Sequence, residues 1–167
     1  MSLLYLSQIL LLKTNRPTNM TCKDCGKNIG YDEHRNAMDS LGVELCARHT
    51  KLIKKVIIEN GTSVEAVQLF YALKQAGTNP MLEWWDGKKS VDIAIARVKL
   101  NIEIDTDYEL ITHDQAINDL EQAMHSFKNG FTTIRIPHVV VKYYLSDTVK
   151  NIQGIIEGLR ANIKIID

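Results

Sequence analysis

The chain has 167 residues, 45% of them apolar and 24% charged, with 20 acidic against 20 basic side chains and a formal net charge of zero. This balance can bury a real core and suits one ordinary domain with a small appendage. It excludes binding of nucleic acid through overall basicity, so any such partner must be met by a local patch.

The opening run, MSLLYLSQILLL, is apolar but too short to cross a bilayer, which needs roughly 20 residues. Its first positive charge, Lys13, follows the run, whereas a secretory signal carries its charge ahead of it. Residues 1–19 are therefore expected to be a short helix or arm, with Met20 as an alternative start of translation. The expected setting is cytoplasmic, with no membrane partner.

All three cysteines lie in two fragments, Cys22-x2-Cys25 and Cys46-x2-His49, separated by twenty residues. Three thiols cannot all pair as disulfides, which argues against a secreted disulfide scaffold. With one imidazole they make four ligands in two close pairs. Gly26 suits the tight turn after the first pair because it tolerates positive φ. Three thiolates and one imidazole match tetrahedral zinc and leave no open coordination position, so the expected role is structural. His34, between the pairs, is the alternative fourth ligand. The pattern resembles zinc-ribbon and treble-clef modules and places a metal knuckle at residues 20–50.

Beyond His49, Leu52, Ile53, Val56 and Ile57 fall at helical spacing up to Gly61. Thr62-x-x-Glu65 reads as a capping box opening a second helix, whose apolar face is Ala66, Leu69, Phe70 and Leu73. Three β-like runs follow, MLEWW, SVDIAIA and KLNIEID, the first two joined at Asp86-Gly87 as a hairpin. Thr112-x-x-Gln115 opens a helix with Ala116, Ile117, Leu120, Met124 and Phe127 on one face; FTTIRIP is a fourth strand, and a last helix is expected from about Ser146 to Arg160. The central order is α-β-β-β-α-β.

Strand alternation turns Val91, Ile93 and Ile95 one way and Asp92, Ala94 and Ala96 the other; it likewise parts Leu100, Ile102 and Ile104 from Asn101, Glu103 and Asp105. If the two strands are neighbours, Asp92, Glu103 and Asp105 share a face. Carboxylates at close range suit a hard ion, Mg²⁺ or Mn²⁺, which can polarise a phosphoryl oxygen. The same alternation also describes a plain solvated sheet face.

The element order and the run VDIAIARVKLNIEID…DQAINDLEQAMHSFKNGFTTIRIP resemble the restriction-endonuclease-like, or PD-(D/E)XK, superfamily, in its branch similar to very-short-patch-repair endonucleases, over about residues 63–140. The resemblance implies an α/β fold with a restriction-endonuclease-like α-β-β-β-α-β core filling residues 51–167, carrying the zinc-binding module at its N-terminus. It implies Mg- or Mn-dependent hydrolysis of DNA phosphodiesters. Asp92 and Glu103 match the metal-binding acids, Asp105 the second acid of the branch's E-x-D, and Glu65 an acid of the first helix. Gln115, Asp119 and Arg135 match polar positions further on. Asp105 stands where the superfamily usually has Lys, and the nearest His is His113.

Phosphate contacts are expected from Arg48, Lys51, Lys54 and Lys55, beside the last zinc ligand, and from Lys88 and Lys89, with Arg97 and Lys99 near them. Trp84 and Tyr108 could stack on bases. A nuclease with one site per chain would act as a homodimer for double-strand cutting. Two other classes stay open: a nucleic-acid-binding protein that has lost cleavage, and a zinc-stapled protein-interaction adaptor.

Overall fold

Helices and strands follow one another from the metal knuckle into a four-stranded sheet, in a computed structural model that describes residues 20–106 and 112–163. The N-terminal arm and Tyr108 lie outside the described residues. The elements are helices α1 (Tyr31–Leu41), α2 (Ala47–Asn60) and α3 (Val64–Gln75), strands β1 (Met81–Trp85), β2 (Ser90–Ile95) and β3 (Leu100–Asp105), helix α4 (His113–Lys128), strand β4 (Thr132–Pro137) and helix α5 (His138–Ile163). The order α-β-β-β-α-β is therefore present, and the fold is mixed α/β.

The sheet runs β1-β2-β3-β4. The first three strands are antiparallel, and β4 lies parallel to β3 after the α4 crossover. The β1–β2 turn forms at the expected Asp86-Gly87. There Asp86 Oδ1 accepts the Lys88 and Lys89 N–H groups, both at 2.8 Å, and Gly87 has φ 98°.

Two apolar cores share one wall. Ile93, Ile95, Leu100, Ile102 and Ile104 of the sheet pack on Ala66, Leu69 and Leu73 of α3 and on Val141, Ile152 and Ile156 of α5. On the other side of α3, Val67 and Tyr71 join Ala37, Leu41, Leu45, Ile53 and the buried thiols Cys22 and Cys46. Helix α3 thus carries two apolar stripes, one for each core. The metal knuckle is continuous with the domain behind it: α2 runs through the boundary expected at residue 50.

Several elements differ from their sequence-based expectation. Ser63, not Thr62, caps α3, its hydroxyl accepting the Ala66 N–H at 3.0 Å. Thr62 is buried and its hydroxyl donates to Glu83. Helix α1, which carries only two buried residues, Ala37 and Leu41, was not expected. Helix α5 begins at His138, well before Ser146, and breaks at Tyr144 (φ −134°, ψ 38°). Three β-branched valines at 139–141 read as strand locally, but only Val141 is fully buried, in the core against the sheet. The cap Thr112-x-x-Gln115 is formed as expected.

No helix among the described residues is long and apolar enough to cross a membrane.

Candidate metal centre and acid row

The knuckle's backbone turns tightly enough to converge its sulfurs. Cys22 N–H donates to the Lys27 carbonyl and Gly26 N–H to the Cys22 carbonyl, both at 2.8 Å, with Gly26 at φ 73°. Cys46 is the N-cap residue of α2, so Cys46 and His49 flank the first helical turn. The four ligand atoms of Cys22, Cys25, Cys46 and His49 lie within 4.8 Å of one another. Among the described residues this is the one such group of three or more. His49 Nδ1 lies 3.4 Å from Cys22 Sγ and 3.2 Å from Cys46 Sγ. Tetrahedral zinc with ordinary Zn–S and Zn–N bonds separates sulfur from nitrogen by about 3.5 Å, so the donor set and its spacing fit that ion.

Burial acts to raise the Cys22 thiol, but N–H groups of Cys46, Cys25 and Asp24 and the His49 ring outweigh it, and its pKa falls to about 6. That favours the thiolate a metal requires. His34 turns elsewhere, its Nε2 3.3 Å from Glu44, which leaves His49 as the ligand.

Asp24, not anticipated from the sequence, orients that ligand. Its Oδ2 lies 3.0 Å from His49 Nε2, so the Nε2 proton is engaged and the Nδ1 lone pair, facing the sulfurs, is left for a metal. Its Oδ1 lies 2.8 Å from Lys74 Nζ and accepts from the Tyr71 hydroxyl at 3.4 Å. The knuckle is thus fastened to α3 through a histidine partner. Burial works against the Asp24 carboxylate, but Lys74 and His49 hold its pKa below the ordinary value. A carboxylate inside Cys-Lys-Asp-Cys was the available signal.

The acids of the sheet are arranged differently. Register pairs Ile93 with Ile102, so Asp92 and Glu103 are cross-strand neighbours; Leu82↔Ile93 and Trp84↔Val91 bracket Glu83 against Asp92. Glu83, Asp92 and Glu103 therefore occupy one level of three adjacent strands. Burial raises the Asp92 pKa to about 6, opposed by the Ile104 N–H, which donates to Asp92 Oδ2 at 2.6 Å, and reinforced by the charges of Glu103 and Glu83. Lys89 Nζ lies 2.5 Å from Glu103 Oε1.

Glu83 adopts φ 52°, the left-handed region that side chains seldom enter. Its carboxylate accepts from the hydroxyls of Thr62 and of Ser90, the latter at 2.5 Å. An isolated acid in MLEWW was the signal for this residue, but only the register gives it neighbours.

Asp105 stands apart from the pair. Arg135 Nη1 lies 2.9 Å from Asp105 Oδ1, and its Nη2 2.7 Å from Asp119 Oδ1, tying β3, β4 and α4 together. Asp92, Glu103 and Asp105 thus do not close into a three-carboxylate group; Glu83 is the third acid beside Asp92. Gln115 is occupied in its cap, accepting the Thr112 N–H at 2.8 Å. Glu65 is half-buried in the first turn of α3, three residues beyond Thr62, and His113 is exposed at the start of α4.

Of the basic residues, Arg48, Lys51 and Lys55 are exposed along α2, Lys55 lying 3.6 Å from Glu59. Lys54 donates to Asn36 Oδ1 at 3.3 Å, and Lys51 and Lys54 line a groove of about 380 Å³ that also contains Asp32 and Glu33. Lys88 is exposed, whereas Lys89 is committed to Glu103.

No protein-family model, curated protein or solved structure matches this chain.

Proposed function

We propose that the protein is a metal-dependent DNA endonuclease of restriction-endonuclease-like fold, stapled by a structural zinc ion at Cys22, Cys25, Cys46 and His49. The observation that carries this reading is the Asp92–Glu103 pair on adjacent strands, with Lys89 on Glu103. The α-β-β-β-α-β order supports it as well.

Asp92 and Glu103 are the residues that would hold Mg²⁺ or Mn²⁺, which supplies Lewis-acid polarisation of the phosphoryl oxygen. Burial and its acidic neighbours raise the Asp92 pKa to about 6, so its ionised form carries a cost that a bound cation would relieve. Glu83 adds negative charge beside it. Lys89 reaches Glu103 from the β1–β2 turn and offers an ammonium close to the acids, where the superfamily's usual lysine position is filled by Asp105. Exposed Arg48, Lys51, Lys55 and Lys88 would supply salt-dependent phosphate contacts.

A second reading, a DNA-binding protein of this fold without cleavage, is favoured by one fact: Glu103 and Asp105 each already have a cationic partner. Incubating the purified chain with supercoiled plasmid and Mg²⁺ or Mn²⁺ separates the two. Nicking that Asp92→Asn and Glu103→Gln abolish supports the nuclease. A mobility shift without nicking supports the second reading. Nicking that survives both substitutions rejects the assigned site, and neither binding nor nicking rejects both readings in favour of a zinc-stapled adaptor.

A further inference from the structure

Helix α4 presents its sides in the reverse of the usual order for an amphipathic helix on a sheet. Toward the sheet it turns Asp119, bonded to Arg135, and Ser126, which is 4% exposed and lies 3.5 Å from Asn101 of β3. Toward solvent it turns Ile117, Leu120, Met124 and Phe127, which are 57, 68, 50 and 78% exposed. Full burial of a side chain of this size is worth about 1.5–3 kcal/mol. Four of them in one stripe on a helix whose polar side is already used mark a surface built for a partner.

The stripe has the 3-4-3 spacing of a coiled-coil seam, and the residues beside it identify the partner. With Ile117 and Met124 as one set of seam positions and Leu120 and Phe127 as the other, one flank carries Asp114, Glu121 and Lys128 at intervals of seven; the other carries Ala116 and Ala123. All five flanking residues are exposed. We propose that this stripe is the interface of a homodimer in which α4 packs antiparallel against α4 of a second copy.

In that arrangement Lys128 faces Asp114 of the second copy, twice by symmetry, and these two ion pairs outnumber the single exposed like-charge contact, Glu121 against Glu121 at the axis. Ala123 meets Ala123 across the axis, where small side chains permit close approach. The two helix dipoles also oppose each other favourably. A parallel pairing would set the charged flank against the alanine flank and lose both ion pairs. The acidic start and basic end of α4 are thus self-complementary only head to tail. The seam is about 24 Å long, short for a tight interface, so association is expected in the micromolar range. The proposal is independent of the nuclease reading.

Sedimentation of the full chain across micromolar concentrations is expected to show monomer passing to a species of two 18.9 kDa chains. Leu120→Asp and Phe127→Asp should each leave it monomeric, with helix content and bound metal unchanged. Because both side chains are exposed, folding should survive; the charge variants provide a second route. Lys128→Glu should weaken the dimer about tenfold, and Asp114→Lys combined with Lys128→Glu should restore it. A chain that stays monomeric throughout overturns the proposal, as does a dimer indifferent to Leu120→Asp. A dimer unaffected by Lys128→Glu overturns the antiparallel register. Dimerisation that appears only after removal of residues 1–19 would show that the chain's own arm occupies the stripe, and also overturns it.

Discussion

The metal knuckle and the acid row both gather anionic ligands, yet they are held by opposite means. In the knuckle, two pairs each three residues apart bring their atoms together through one turn and one helix start. Two of the three thiols are buried, and the supporting contacts of Asp24 point outward to Lys74 and Tyr71. In the acid row the members come from three strands. They are separated by the spacing of the sheet and neutralised within the protein by Lys89, by hydroxyls and by a backbone N–H. The knuckle's four donor atoms converge closely enough to hold a cation. The row tolerates its own charge through protonation and partners, so a cation there is an addition to a network that already closes.

The largest test of that contrast is metal removal. Chelation, or Cys46→Ser, should unfold the lobe formed by α1 and α2, since structural zinc sites contribute about 10–16 kcal/mol of apparent binding energy in small peptides. Hydrogen exchange should show protection lost across residues 31–60 while β2 and β3 keep theirs; retained protection in α1 would show that the apolar cluster alone supports the lobe. Next in size, Asp24→Ala should weaken metal binding about 10–100-fold, measured by competition with a chromophoric chelator, because the ring of His49 loses its orienting partner.

A smaller effect, opposite in sign, is expected in the acid row. The folded Asp92 carboxyl has a pKa near 6 against an ordinary 3.8, so the native state binds the extra proton between those values and stability falls as pH rises through them. Above pH 6 the full penalty is present, and below pH 4 it vanishes. Asp92→Asn, which keeps an acceptor for the Ile104 N–H, should therefore stabilise the protein by about 1–2 kcal/mol at pH 7.5 and hardly at all at pH 4. Denaturant titrations at the two pH values check this; equal effects at both would mean that Asp92 is not strained by its neighbours. Thr62→Val should cost about 1 kcal/mol, by removing a hydroxyl that steadies Glu83 in its left-handed conformation. Smallest of all, Lys55→Ala should change stability by less than about 0.5 kcal/mol, since its pair with Glu59 is exposed.

The four ligands of the knuckle, its Gly26 turn, the four strands and the Thr112 cap could all be read from the chain because each depends on residues close in sequence. The strand alternation placed Ile93, Ile95, Leu100, Ile102 and Ile104 in the core correctly, since a period of two needs no knowledge of neighbours. Helix α1 escaped notice because it has few apolar residues and packs by only Ala37 and Leu41. The start of α5 escaped because Val139–Val141 favour a strand by local propensity, which packing of Val141 overrides. The apolar stripe of α4 was legible as a stripe, but its direction was not: the Arg135 link to Asp119 and Asp105 turns the polar side inward.

Composition, cysteine spacing and hydrophobic periodicity were enough to specify a knuckle able to hold a metal, joined to an α/β unit, because turns and strands obey local stereochemistry. Strand register placed Glu83 beside Asp92, brought Lys89 to Glu103, diverted Asp105 to Arg135 and set Asp24 behind His49. Those pairings join residues distant in the chain, and their partners are chosen by packing and charge in three dimensions, where sequence spacing carries no information.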